Sequence, residues 1–120
     1  MIMVVFATIM VIMPRPSVQD TVSITNLLTN KILIVHCRSK DDDLGGHAVD
    51  VGDSYRWSFQ TNVFGGTLFW CNLAVQDKRI SFKAYEEYEE TFGMWFVHDD
   101  GLYGKPKHFP IFKMAAWKRP

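Results

Sequence analysis

Ile32-Leu33-Ile34-Val35-His36-Cys37-Arg38-Ser39-Lys40 opens the stretch on which the fold turns, and Thr67-Leu68-Phe69-Trp70-Cys71-Asn72-Leu73 closes it. In an extended strand, residues two apart face the same way. Cys37 therefore shares a face with Leu33 and Val35, and Cys71 shares a face with Phe69 and Leu73. Each cysteine sits on an apolar face. Such faces point to a place where two sheets meet, with a disulfide crossing between them. Asp41-Asp42-Asp43-Leu44-Gly45-Gly46 lies between and reads as a polar loop ending in glycine, followed by a short strand from His47 to Val51.

Working outward, the same period of two recurs. Val18 to Asn26 alternates apolar Val18, Val22 and Ile24 with polar Gln19, Ser23 and Thr25, as a first strand does. Ile32 to Ser39 is apolar on both faces, which predicts a central strand. Tyr55, Trp57 and Phe59 alternate with Arg56, Ser58 and Gln60, the pattern of a half-buried antiparallel strand. Ile80, Phe82 and Ala84 are expected to face away from Ser81, Lys83 and Tyr85. Glu86 to Glu90 is ambiguous: its residues can make a helix turn, but a five-residue polar run between strands is more often a loop. Met94 to His98 reads as a strand, and Asp99-Asp100-Gly101 is a hairpin signal. Lys105-Pro106-Lys107 is expected to interrupt the return strand, and His108 to Met114 to add an edge strand limited by Pro110. Short strands parted by turns, with hardly any helical pattern, predict an all-β fold. The expected architecture is a small antiparallel β-sandwich, immunoglobulin-like in general outline.

The chain of 120 residues suits one domain. Met1 to Met13 is apolar, without a charged side chain, and too short to span a bilayer. Residues 1–18 are read as a signal peptide, with cleavage near Pro16 to Gln19, and 19–120 as a single domain. The formal net charge is zero, which gives no global basic field for nucleic acid. Charge is uneven all the same: Asp41 to Asp43 and Glu86 to Glu90 are acidic, and the C-terminal end is basic. There Phe109, Phe112 and Trp117 stand among lysines, a mixture that suits anionic lipid or nucleic acid, although Pro106, Pro110 and Pro120 oppose an amphipathic helix.

No motif for chemistry stands out. Structural zinc sites draw ligands in close pairs, and no such pair exists; His36 and Cys37 point to opposite faces of their strand. The three aspartates lack the spacing of an EF-hand calcium loop. Neither a nucleophile elbow nor a Cys/His signature is present. No catalytic residue, metal or cofactor is expected.

The residues now in hand resemble the plant self-incompatibility protein family, the S-protein homologues. The similarity rests on Val35-His36-Cys37-Arg38-Ser39-Lys40-Asp41-Asp42-Asp43-Leu44-Gly45. It is reinforced by Gly52, Trp57-Ser58-Phe59, Thr67-Leu68-Phe69-Trp70-Cys71 and Asp100-Gly101-Leu102-Tyr103. It covers about Val22 to Tyr103. The resemblance implies a small secreted plant protein with a β-sandwich fold and neither enzymatic activity nor cofactor. The founding role in that family is a pistil-side ligand that arrests incompatible pollen through a pollen-surface receptor and calcium signalling. One departure bears on the cysteines. The family commonly carries a second cysteine pair before the tryptophan matching Trp95, where this chain reads Glu90-Thr91-Phe92-Gly93-Met94-Trp95. If the family pairs its first two cysteines with each other, Cys37–Cys71 survives; if it cross-pairs them with the later two, both are orphaned. The apolar faces favour the surviving bridge.

The expected function is a secreted recognition or signalling ligand that binds a cell-surface receptor protein as a monomer, without nucleic acid or stable membrane insertion. Loops at the sandwich ends are the candidate contacts: Asp41, Asp42, Asp43, His47, Asn62, Phe64, Glu86, Glu87, Asp99 and Asp100. The alternative is an extracellular carbohydrate-binding β-sandwich module, which would display a flat row of exposed tryptophans for stacking on sugars.

Overall fold

The computed structural model describes residues 19–61, 65–87, 92–106 and 108–119. Among the described residues nine strands form two sheets. They are β1 (Gln19–Asn26), β2 (Leu33–Arg38), β3 (Asp43–Val49), β4 (Ser54–Gln60), β5 (Leu68–Val75), β6 (Lys78–Glu86), β7 (Phe92–His98), β8 (Gly101–Pro106) and β9 (Phe112–Ala115). One sheet has the order β4-β1-β7-β8-β9 and the other β3-β2-β5-β6. The chain is an all-β sandwich, as its alternation predicts. Among the described strands every pairing is antiparallel except one: β1 runs parallel to β7, with Ile24 opposite Trp95.

The core forms where the inward phases of the two sheets meet. Val22 and Ile24 of β1, with Trp95, Val97 and Leu102, face Leu33, Val35, Leu73, Val75 and Ile80 of the second sheet, and all are buried. Trp95 lies edge-on to Phe82 at 4.7 Å, and its indole donates to the Ala84 carbonyl at 3.1 Å, which ties the sheets together. That carbonyl sits at a β-bulge, because Phe69 faces Tyr85 while Trp70 faces Lys83, leaving Ala84 as the extra residue. The bulge turns Tyr85 inward, where it is buried, rather than outward with Ser81 and Lys83 as strict alternation predicts.

The disulfide is present but its geometry differs from the expectation. Cys37 and Cys71 lie directly opposite each other on neighbouring strands β2 and β5, with Cα atoms 4.0 Å apart. The bridge therefore lies within one sheet and does not cross between two. Both cysteines are fully buried beneath the other sheet. An apolar face tells which way a cysteine points; strand order decides what stands beside it.

Other expectations are adjusted. β3 begins at Asp43, so the turn after β2 shrinks to residues 39–42, closed by Ser39 N–H on the Asp42 carbonyl at 2.8 Å. Asp43-Leu44-Gly45-Gly46 reads as loop by composition, yet pairing with β2 holds it extended, with Gly45 at a φ of 78° beside the bulge. β2 is central in its sheet, but its outer face is uncovered and Ile34 is 43% exposed. β8 runs on through Lys105 to Pro106 without interruption. The edge strand β9 forms, shorter than expected.

Candidate functional site

Two sets of loops cap the sandwich. At one end the residue 39–42 turn, the end of β4 and the start of β5 enclose a cleft of about 480 Å³. Ser39, Lys40, Asp41 and Asp42 form one wall; Ser58, Phe59 and Gln60 another; Gly66, Thr67, Leu68, Phe69 and Trp70 the third. The Arg38 guanidinium lies over the Trp70 ring, 5.7 Å from its centroid, because β2 and β5 set the two residues opposite each other on the outer face. The volume is in the range of ligand pockets.

Most of the candidate carboxylates turn out to hold the structure together. Asp43 Oδ1 accepts from His36 Nε2 at 2.5 Å and from the Gly45 N–H at 2.9 Å. The Gly45 amide and the His36 ring keep its carboxyl below the usual carboxylate range. Asp99, at the opposite end, accepts from the Thr29 hydroxyl at 2.6 Å and the Thr29 amide at 2.9 Å, which pins the β1–β2 loop to the β7–β8 hairpin. Those two bonds likewise lower its pKa. Asp100 accepts from Tyr103 at 2.8 Å and lies 3.3 Å from Lys113. The Tyr103 hydroxyl bond, then the lysine, lower its pKa, and the same carboxylate raises the tyrosine's.

Glu87 is buried, and its Oε1 accepts from the Thr67 amide at 3.0 Å while its own amide donates to the Thr67 carbonyl at 2.9 Å. This reciprocal clamp joins the β4–β5 and β6–β7 connections and commits the Glu87 carboxylate to the fold. Glu86 lies in β6, paired with Lys83 at 2.6 Å. His47 lies in β3 rather than in a loop, stacked on Tyr55 at 4.4 Å with Nε2 against the Leu44 carbonyl at 2.7 Å. Asp41 and Asp42 differ from the rest. Both are exposed, and among the described residues neither carboxylate meets a partner. Asn62, Phe64 and the leader expected over residues 1–18 lie outside the described residues.

The pairing of Asp43, Asp99 and Asp100 carries a pH dependence. Each carboxyl titrates lower folded than its ordinary 3.8. Such a group stabilises the fold above its unfolded pKa, and the contribution is lost as pH falls through the folded value. Melting temperature is expected to hold steady above pH 5 or so and to fall below about pH 4. An Asp43→Asn, Asp99→Asn and Asp100→Asn triple variant should start lower and show a flatter acid limb. Thermal melts across acid pH check this; an unchanged limb in the variant would contradict it.

Among the described residues no three His, Cys, Asp or Glu side chains converge as metal ligands. No row of exposed tryptophans forms either: Trp95 is buried, and Trp57, Trp70 and Trp117 are each partly covered. Two features of the site were missed at sequence level. The Arg38–Trp70 pair was legible from the outward phase of two strands flanking the cysteines. The Glu87–Thr67 clamp had no local signal, since it joins loops twenty residues apart.

Comparison with known proteins finds relatives over most of the chain. The family pattern described as plant self-incompatibility protein S1 matches residues 21–117. S-protein homolog 2 of Arabidopsis thaliana is 38% identical over 79 residues, covering 65% of this chain and 49% of that protein. The aligned part thus spans about half of that relative. S-protein homolog 21 of the same plant is 31% identical over 111 residues, covering 82% and 83%. Self-incompatibility protein S1 of Papaver rhoeas is 32% identical over 87 residues, covering 67% of this chain and 63% of its own. Matched across nearly all of its described strands, the chain belongs to the plant self-incompatibility protein S1 family.

Proposed function

We propose that this protein is a secreted recognition ligand that binds a receptor protein at a cell surface through the end of the sandwich that holds the cleft. The observation that carries this reading is the division of labour among the loop carboxylates. Asp43, Asp99, Asp100 and Glu87 are spent on holding loops in place, whereas Asp41 and Asp42 stand exposed on the cleft wall. A rigid turn that presents two uncommitted charges beside Lys40 and the Arg38–Trp70 pair suits specific polar contact with a partner. The apolar leader supports export, and the buried Cys37–Cys71 bridge suits an oxidising compartment. The self-incompatibility protein of Papaver rhoeas bears a name that places it in cell–cell recognition, and the same class of role is proposed here, pollen rejection being one form of it.

The test is a binding isotherm of the secreted protein, fluorescently labelled, on living plant cells. Saturable binding that mild surface proteolysis abolishes is the expected result. Binding that never saturates, or that survives removal of surface proteins, would overturn a protein receptor.

A further inference from the structure

We infer a second contact surface, independent of the receptor reading: the β9 side of the sandwich docks on an anionic lipid surface. Four of the exposed large apolar side chains fall within six residues there, Phe109, Ile111, Phe112 and Met114, each at least 42% exposed. Contiguous exposure of that kind on a small domain marks a contact site. Residues 101–120 hold five cations, Lys105, Lys107, Lys113, Lys118 and Arg119, and no Asp or Glu, so the remainder of the chain is acidic by five.

The local structure decides between possible occupants. β9 is an open edge, but one built against strand addition. Leu102 faces Ala115 while Tyr103 faces Lys113, so Met114 is the extra residue of a bulge, and Pro110 precedes the strand. Bulges, lysines and prolines on an edge discourage pairing with another strand. A second copy added antiparallel at β9 would also bring Lys113 and two basic tails together. A surface that repels strands and like charge, yet exposes aromatic and aliphatic groups among cations, fits a negatively charged membrane interface, where apolar groups enter the headgroup region and cations meet the lipid charge.

The platform is firm. Lys105 Nζ donates to the Phe109 carbonyl at 2.6 Å and the Pro106 carbonyl at 3.0 Å, bracing the turn before β9. Lys118 and Arg79 exchange backbone hydrogen bonds at 2.7 and 3.0 Å, which fastens the tail across to β6. Trp117 donates to the His98 carbonyl at 3.0 Å. Gly101 seats the tail closely, since a Cβ there would stand 2.1 Å from the Ala115 carbonyl oxygen. Lys113 is partly offset by Asp100, so among the described residues of this end Lys118 and Arg119 are the exposed cations left to act.

The experiment is co-sedimentation of the secreted protein with vesicles of phosphatidylserine and phosphatidylcholine in equal parts, beside vesicles of phosphatidylcholine alone. Binding to the first and not the second, lost at high salt, is expected. A Lys118→Ala/Arg119→Ala variant should partition roughly thirtyfold more weakly. A Phe109→Ser/Ile111→Ser variant should also be weakened, with circular dichroism unchanged in both because all four positions are exposed. Absence of sedimentation with either vesicle would overturn the proposal and leave the surface to an acidic protein. Equal binding to both vesicles, or self-association abolished by Phe109→Ser/Ile111→Ser, would overturn it in favour of uncharged lipid or a second copy. These vesicles contain no protein, so the outcome is separate from that of the receptor test.

Discussion

Replacing Cys37 and Cys71 together by alanine is expected to cost about 4 kcal/mol and to lower the melting temperature by roughly 20 °C. The bond closes a loop of sequence separation 34, and that separation sets the chain entropy withheld from the unfolded state. Domains of this size carry only about 5–15 kcal/mol in total, so the loss is a large share. The cysteines lie fully buried in the middle of their strands, so the double variant also gives up packing. Reduction under native conditions should be slow, because the other sheet covers both sulfurs. Urea unfolding of oxidised, reduced and double-alanine protein measures the effect. A loss under about 1 kcal/mol would mean that the strand pairing itself already confines the unfolded chain.

Asn26→Ala is expected to destabilise by a comparable amount, about 4 kcal/mol. The side chain is fully buried and makes three hydrogen bonds. Nδ2 donates to the carbonyls of Lys31 and Val49, each at 2.9 Å, and Oδ1 accepts from the Leu28 amide at 2.8 Å. Its backbone joins Asp53 and Gly52 at 2.9 and 2.8 Å. One residue thus knots the end of β1, the β1–β2 loop and the β3–β4 turn. Removing the amide strands two carbonyls and one N–H, and an orphaned buried group costs about 1–3 kcal/mol. Asn26→Asp should be worse at neutral pH, since a carboxylate cannot donate to either carbonyl, and should recover partly on acidification. Denaturant unfolding of the two variants at neutral and acid pH distinguishes this from a simple cavity effect, which would show no pH dependence.

That knot was legible in outline. Asn26 continues the inward phase of Val22 and Ile24, and a polar residue at an inward position must find partners. The strands were legible for the same reason: side-chain period follows from backbone geometry, and Tyr55, Trp57 and Phe59 fell on the covered face as the alternation requires. Neighbours in the plane of a sheet were not legible. The disulfide was placed between sheets because the sequence shows which face a cysteine is on and not that β2 lies beside β5. The parallel pairing of β1 with β7 was hidden by the same ignorance of strand order. Asp43 to Gly46 read as loop because glycine and aspartate disfavour strands in isolation, whereas pairing with β2 overrides that preference. At the candidate site, composition made all the acidic loop residues alike. Only their partners separate Asp43, whose carboxylate grips His36, from Asp41 and Asp42, whose carboxylates meet nothing among the described residues.

That separation is the centre of the account, and one measurement tests it most directly: the affinity of an Asp41→Asn/Asp42→Asn variant for living cells, read beside its melting temperature. The account predicts a melting temperature equal to that of the parent and binding weakened by at least about tenfold, as expected when charges that meet a partner are removed. Unchanged binding with unchanged stability would contradict it and take the cleft wall out of the recognition surface.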